Sequence, residues 1–171
     1  MKSETAHEHQ KKSSKDISCG IITLSDSRKS EKLDLSGKLM AEEIEKRYTL
    51  KSKSLIPDEA EDLINAIDDM VSQEIDVILT TGGTGLDTRD ITVETVETLF
   101  EKRIEGFGEL FRSKSFEEIG SAALLSRATA GIYKKTIIFS MPGSPNAVKT
   151  ALSLIIDELP HFVHHVKKWW N

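Results

Sequence analysis

The chain has 171 residues, a length that suits one domain of ordinary size. Hydrophobic residues make up 38% and charged residues 30%, which is typical of a globular protein and excludes a disordered or membrane-embedded chain. The formal net charge is −5, so the chain lacks the basic field that follows a nucleic-acid backbone, and we expect no nucleic-acid partner.

The N-terminal segment differs in composition from the rest of the chain. Residues 1–15 are polar and charged, so we expect a flexible tail there and a single α/β domain over residues 16–171. The tail lacks the apolar run of a signal peptide, and no segment has the length of a membrane-spanning helix. The single cysteine, Cys19, lies in an apolar run and excludes an intrachain disulfide. We therefore expect a cytoplasmic protein with no membrane contact.

Apolar runs alternate with helical periodicity through the first half of the chain. Apolar or β-rich runs at residues 17–24 and 75–80 predict two strands, and residues 51–56, which end before Pro57, are a further strand candidate. A helix is predicted to open near Asp34, and the apolar stripe within residues 63–71 predicts another. The same alternation continues in the second half.

Helices are predicted over residues 92–101 and 107–118, followed by strands over 131–133 and 136–140. A further helix should begin within residues 141–146 and run to about Asp157. Pro160 then separates a last helix that ends near Lys168. Strands alternating with helices predict a mainly parallel central sheet covered on both faces, which is a three-layer α/β/α fold.

Three polar loops follow predicted strands, at residues 25–30, 80–90 and 141–146. Ligands of open α/β sheets bind outside the carboxyl ends of the strands, so the three loops predict one site. The second loop contains Gly82, Gly83 and Gly85, which let backbone N–H groups approach phosphate oxygens, and Thr81 and Thr84 add hydroxyl donors. A tight turn without a ligand is the alternative interpretation.

Two aspartates stand at predicted junctions between a strand and a helix. Asp58 and Asp90 can each cap the helix that follows, or each can bind Mg²⁺ between phosphate groups. A pair of carboxylates facing a phosphate loop suits metal-assisted phosphoryl or nucleotidyl transfer. Ser144 likewise can cap a helix at a purely structural turn, or belong to the site.

Two groups near the C-terminus invite other interpretations. His161, His164 and His165 are spaced so that two imidazoles could meet one metal, although a surface helix explains them equally well. Trp169 and Trp170 indicate a subunit interface or docking onto the domain.

The chain resembles the MoaB/MogA proteins of molybdenum-cofactor biosynthesis. The matching segments are Gly-Ile-Ile-Thr-Leu-Ser-Asp-Ser at residues 20–27, Asp-Leu-Ser-Gly at 34–37, Ile-Pro-Asp-Glu at 56–59, Leu-Thr-Thr-Gly-Gly-Thr-Gly at 79–85, Arg-Asp-Ile-Thr at 89–92, Gly-Phe-Gly-Glu at 106–109, Leu-Ser-Arg-Ala at 125–128 and Met-Pro-Gly-Ser-Pro at 141–145. They run in family order across nearly the whole chain after residue 16.

The resemblance implies molybdopterin adenylyltransferase activity, in which the terminal phosphate of molybdopterin attacks the α-phosphorus of Mg·ATP and pyrophosphate leaves. It implies that Asp58 and Asp90 are the catalytic and Mg²⁺-binding residues. It also implies a pterin and nucleotide pocket formed by Ser25, Asp26, Asp34, Ser36, Thr81, Gly82, Gly83, Thr84, Gly85, Arg89, Ser126, Pro142, Gly143 and Ser144.

Residues 107–120 resemble the MoaB branch, and because the chain keeps both aspartates it resembles active members. The resemblance further implies a homotrimer or homohexamer, with a molybdenum-insertion enzyme as a downstream partner. A different class of function stays open: a non-catalytic carrier that binds molybdopterin in the same pathway.

Overall fold

The structure, a computed structural model, describes residues 17–26 and 34–169. The expectations for the tail at residues 1–15, for loop residues 27–30 and for Trp170 lie outside this part of the chain, as does the side chain of Trp169. Every helix within the described ranges is too short or too polar to span a membrane.

Strands and helices alternate along the described residues. The strands are β1 (Ser18–Leu24), β2 (Thr49–Ile56), β3 (Val77–Thr81), β4 (Lys102–Arg103), β5 (Thr129–Tyr133) and β6 (Thr136–Met141). The α-helices are α1 (Leu35–Glu45), α2 (Ala60–Ser72), α3 (Thr92–Leu99), α4 (Glu105–Ile119), α5 (Pro145–Ile155) and α6 (Leu159–Trp169). A 3₁₀ helix over Gly120–Leu125 follows α4.

The strands form one mixed, mostly parallel sheet in the order β2-β1-β3-β6-β5-β4. β1 pairs in parallel with β2 and β3, and β3 pairs in parallel with β6. β5 is antiparallel to both β6 and β4. The carboxyl ends of β1, β3 and β6 therefore meet at one edge, which is where a ligand of such a sheet binds.

Helices cover both faces of the sheet, so the predicted three-layer fold is confirmed. One apolar cluster packs α1, α4, α5 and α6 against the sheet, and a smaller one packs α2 and α3 against the other face. β1, β3 and β6 are buried along their whole lengths, because helices exclude water from both of their sides. The three strands that lead into the site are thus held rigidly.

The structure differs from the sequence prediction at β4 and at the start of the last helix. β4 was not predicted, since two exposed basic residues carry no apolar pattern and their strand conformation comes from pairing with β5. The last helix begins at Leu159, so Pro160 lies within its first turn, where the missing N–H of proline is tolerated. Cys19, within the apolar run of β1, is buried, and burial raises the pKa of its thiol to about 12.

Candidate functional site

The ends of β1, β3 and β6 enclose a cavity of about 430 Å³. Small and polar residues dominate its walls, which leaves backbone groups accessible to a ligand. The side chains and backbone that line it belong to Leu24, Ser25, Asp26, Asp58, Gly82, Gly83, Thr84, Gly85, Asp90, Leu125, Ser126, Pro142 and Gly143. Eleven of these thirteen residues were predicted to form the site, and they come from five separate segments of the sequence.

The glycine-rich loop after β3 interlocks with the neighbouring strand ends. Gly82 has φ of 96° and Gly83 has φ of 63°, both in the left-handed region that glycine adopts without strain. The N–H of Gly82 donates to Met141 at 3.1 Å, and a Cβ at Gly82 would collide with the carbonyl oxygen of Leu24. Thr92 closes the loop from α3, with its N–H donating to Gly83 at 2.8 Å and its hydroxyl to Gly82 at 2.8 Å.

Asp26 and Asp58 hold the ends of β1 and β2 together by reciprocal bonds. The N–H of Asp26 donates to Oδ2 of Asp58 at 2.9 Å, and the N–H of Asp58 donates to Oδ1 of Asp26 at 3.0 Å. Arg89 also binds Asp26 through Nε at 2.9 Å and reaches Glu59 at 2.8 Å. The bond from the Asp58 N–H, together with Arg89, lowers the pKa of Asp26.

Asp58 has one carboxylate oxygen without a donor. Its Oδ1 is buried and accepts no hydrogen bond from any described residue. Burial raises the pKa of Asp58, and the negative charges of Asp26 and Asp90 raise it further against the bond from Asp26. A Cβ at Gly83 would lie 2.9 Å from this oxygen, so glycine leaves the space beside it open. A cation at this position would relieve both the missing bond and the repulsion.

Asp90 lies in the same wall, beside Gly85. Its Oδ2 accepts the N–H of Asp87 at 2.9 Å, and a Cβ at Gly85 would collide with that oxygen. The other explanation for both aspartates, that they cap helices, is wrong. The N-cap of α2 is Glu59 and that of α3 is Ile91, and neither helix has a side-chain cap bond. The sequence shows both aspartates at helix starts but not the direction of their carboxylates.

Five predicted site residues do not line the cavity but bind the loops and strand ends that do. Asp34 caps α1 through Gly37 and accepts the Thr23 hydroxyl at 2.7 Å. The hydroxyl of Ser36 donates to Gly143 at 2.7 Å, and that of Thr81 donates to Pro142 at 3.1 Å. Ser144 caps α5, and Arg89 binds Asp26. In this structure their bonds fix the loops and leave the cavity to other groups.

Arg127 is a residue of the site that the sequence prediction missed. Its Nε donates to the carbonyl of Thr84 at 3.0 Å, and its Nη2 donates to Gly85 at 2.5 Å and contacts the carbonyl of Asp90 at 3.4 Å. Its guanidinium also pairs with Glu94 on α3 and lowers the pKa of that carboxyl. The side chain therefore fixes the glycine-rich loop and Asp90 relative to α3.

Arg127→Ala is expected to lower the free energy of unfolding by about 1–3 kcal/mol, because three carbonyl contacts and a charge pair are lost. Chemical denaturation with urea measures this. Arg103→Ala is the control, since Arg103 pairs with Glu97 on the surface and its loss should cost less than about 1 kcal/mol. Equal losses in the two variants would contradict the role assigned to Arg127.

Asp58→Asn is expected to raise the melting temperature at neutral pH in the absence of metal. Folding raises the pKa of Asp58 and so favours its protonated form. The stability that this carboxyl contributes is present below pH 3.8 and is lost as the pH rises through the raised pKa, where the buried group becomes charged. Asp26→Asn should have the opposite effect, since the pKa of Asp26 is lowered and its charge contributes stability above pH 3.8. Melting curves at neutral pH test both signs, and destabilisation by Asp58→Asn would overturn the first.

A larger cavity of about 700 Å³ lies at the opposite edge of the sheet. Its wall contains Ser18, Thr49 and Thr136, at the amino ends of β1, β2 and β6. Within it Asp76 accepts bonds from Ser18 at 2.9 and 3.0 Å and pairs with Lys167 at 2.7 Å. The carboxylate of Asp76 thus already has partners. Ligands of a parallel sheet bind at the other edge, outside the carboxyl ends of the strands.

The histidines of α6 form no metal centre with other residues in the part of the chain that the structure describes, where no group of three or more potential ligands is present. The rings of His161 and His165 have centroids 4.5 Å apart, as expected for residues on one helix face. The described geometry therefore favours the surface-helix interpretation.

Comparison with known proteins connects this chain to a family. Residues 20–161 match a family model described as "Probable molybdopterin binding domain". A molybdopterin adenylyltransferase of Pyrococcus furiosus is 42% identical over 166 residues, which cover 94% of this chain and 98% of that protein. The molybdenum cofactor biosynthesis protein B of Bacillus subtilis is 41% identical, covering 96% and 98%.

A solved structure shows the same architecture. The crystal structure of the tungsten cofactor synthesizing protein MoaB from Pyrococcus furiosus superposes with a TM-score of 0.84 at 42% sequence identity. The match covers 90% of this chain and 98% of that one.

Proposed function

The chain belongs to the molybdopterin-binding domain family of molybdenum-cofactor biosynthesis, and we propose that it is a molybdopterin adenylyltransferase. The observation that carries the proposal is the pair Asp58 and Asp90, two carboxylates that cap no helix and line the cavity of the glycine-rich loop. Relatives with that activity are similar over nearly their whole length, which supports the same reaction here.

The proposed reaction transfers adenylate from ATP to molybdopterin. An oxygen of the molybdopterin phosphate forms a bond to the α-phosphorus of ATP, and the bond from that phosphorus to the β-phosphate oxygen breaks. The electron pair of the broken bond leaves with pyrophosphate. Because the substrate supplies the nucleophile, the chain needs no covalent intermediate of its own, and its residues act by positioning and electrostatics.

The residues present fit a magnesium ion. Oδ1 of Asp58 is buried without a donor among the described residues, and the charge of Asp90 lies close enough to raise the pKa of Asp58. Mg²⁺ usually binds one or two carboxylates and takes its other ligands from water and substrate phosphates. When bound, the ion would neutralise charge that develops on the phosphates.

The loop residues have different roles in the proposed reaction. The backbone of residues 82–85 would donate hydrogen bonds to phosphate oxygens, a contact that the positive φ of Gly82 and Gly83 permits. Ser25, Ser126 and the Pro142–Gly143 turn line the remaining wall and would contact the pterin or the nucleotide. Arg89 neutralises Asp26, so Asp58 and Asp90 are the carboxylates left to face a cation.

Exposed apolar side chains support self-association, which we propose as a homotrimer or homohexamer. Of seven large hydrophobic side chains exposed in the described residues, five lie on α4 and the 3₁₀ helix, at Leu110, Phe116, Ile119, Leu124 and Leu125. Apolar surface concentrated in this way marks a protein interface. Light scattering after size exclusion tests the mass, and a monomer at micromolar concentration would contradict it.

The downstream partner that we propose is a molybdenum-insertion enzyme.

Anaerobic incubation with molybdopterin and ATP labelled at the α-phosphorus tests the activity. We expect the label to move to molybdopterin, pyrophosphate to appear in equal amount, and EDTA to stop both. Tight molybdopterin binding without label transfer would place the protein in the carrier class instead.

A further inference from the structure

A second cavity of about 330 Å³ adjoins the one already described. Ser126 lines both cavities, and so the two share a wall. Arg127 also lines the second cavity while its Nη2 lies 3.4 Å from the carbonyl of Asp90. The two cavities therefore meet at Ser126. Ser126 is the one predicted site residue that lines this second cavity.

Three arginines, Arg103, Arg112 and Arg127, and two glutamates, Glu97 and Glu105, line the second cavity. Two of its three arginines have carboxylate partners, since Arg103 pairs with Glu97 at 2.9 Å and Arg127 pairs with Glu94. The third, Arg112, pairs with no carboxylate in residues 17–26 and 34–169. Its only side-chain hydrogen bond within these residues runs from Nη1 to the carbonyl of Ala128 at 3.4 Å.

The fold makes room for the guanidinium of Arg112 at this place. Arg112 lies one turn of α4 after Gly108, and a Cβ at Gly108 would come within 3.0 Å of Nη1 and 2.7 Å of the Ala128 carbonyl. Glycine thus lets the arginine fold back against the start of β5. A half-buried guanidinium presents five N–H donors in a planar fork that matches phosphate oxygens. With one weak acceptor, most of these donors are available to an anion.

We propose that this cavity is a polyphosphate subsite in which Arg112 binds the β- and γ-phosphates of ATP, and then the pyrophosphate that leaves. The inference rests on the proposed adenylyl transfer. In-line displacement puts the nucleophile and the leaving group on opposite sides of the α-phosphorus. The cavity of about 430 Å³, with residues 82–85 and Asp90, receives molybdopterin and the α-phosphate, and the β- and γ-phosphates extend past Ser126 into the second cavity.

Direct binding of pyrophosphate tests the subsite without any turnover. Calorimetry is done on the full chain with EDTA present, so that metal at Asp58 and Asp90 contributes nothing. Arg112→Ala is expected to weaken pyrophosphate binding at least about tenfold, because a charge-assisted bidentate contact is lost. Lys114→Ala is the matched control, since Lys114 is on the same helix and pairs with Glu117 at 2.7 Å. Unchanged binding in Arg112→Ala, or no binding by the unsubstituted chain, would overturn the subsite.

Steady-state kinetics then identify which substrate the subsite serves. Arg112→Ala should raise KM for ATP at least about tenfold and leave KM for molybdopterin within about twofold, with Arg112→Lys intermediate. Gly108→Ala, which displaces the guanidinium, should change KM in the same direction. A rise confined to molybdopterin would overturn the assignment to ATP. Arg112-dependent pyrophosphate binding in a chain that transfers no adenylate would overturn the proposed activity and leave the subsite.

Discussion

Asp90→Asn is expected to lower the turnover of molybdopterin to its adenylylated form by at least about a hundredfold. Asparagine has the same shape, and its Oδ1 can still accept the N–H of Asp87, so the loop should keep its conformation. Asparagine lacks the negative charge that would hold a metal ion beside the phosphates. Turnover at saturating substrate, with a thermal melt of the same sample, separates chemistry from folding.

Asp87→Asn is the control for this variant. Asp87 lies three residues away and is exposed, and its carboxylate accepts only from Thr88 and Arg89 in the described residues. We expect turnover within about twofold of the unsubstituted chain, as for most surface substitutions. Near-normal turnover in Asp90→Asn would show that its carboxylate has no part in the reaction.

Gly82→Ala is expected to lower the free energy of unfolding by at least about 2 kcal/mol and the melting temperature by about 4–8 °C. The left-handed backbone at φ of 96° strains any other residue, and the new Cβ would meet the carbonyl of Leu24. Relief requires the ends of β1 and β3 to move apart, which also displaces Asp58 from the glycine-rich loop. Turnover should therefore fall at least about tenfold.

Gly106→Ala tests whether the loss is specific to position 82. Gly106 lies in the first turn of α4, its φ is not positive, and a Cβ added there would meet no atom within 4 Å. Alanine should stabilise the helix and raise the free energy of unfolding by up to about 1 kcal/mol, whereas Gly82→Ala lowers it. Similar losses at both positions would mean that the strain argument for Gly82 is incorrect.

The sheet and its loops were predictable because local signals agreed with the fold. Buried strands such as β1 and β3 are continuous apolar runs, and each ends in a polar loop. The glycines of residues 82–85 mark a turn that other residues cannot make without strain. Ser144 was also predictable, because Pro145 fixes the start of α5 and the hydroxyl then accepts the N–H of Ala147 at 3.2 Å.

Contacts between distant segments were not predictable from local patterns. Asp58 looks like a helix cap in sequence, and only the pairing of β1 with β2 brings the N–H of Asp26, 32 residues away, to its carboxylate. Arg127 reaches Gly85 over 42 residues, and a lone arginine after a serine gives no sign of that. The resemblance did mark the Leu-Ser-Arg-Ala segment at residues 125–128, which was the available signal for Arg127. Arg112 gave none.

A crystal structure with Mg²⁺ and an ATP analogue that resists cleavage at the α-phosphorus tests the roles proposed for Asp58, Asp90 and the glycine-rich loop. We expect one metal ion bound by Asp58 and Asp90, the α-phosphate against the backbone of residues 82–85, and no nucleotide at the amino edge of the sheet. Nucleotide in the cavity of about 700 Å³ beside Asp76, or metal away from both aspartates, would contradict it.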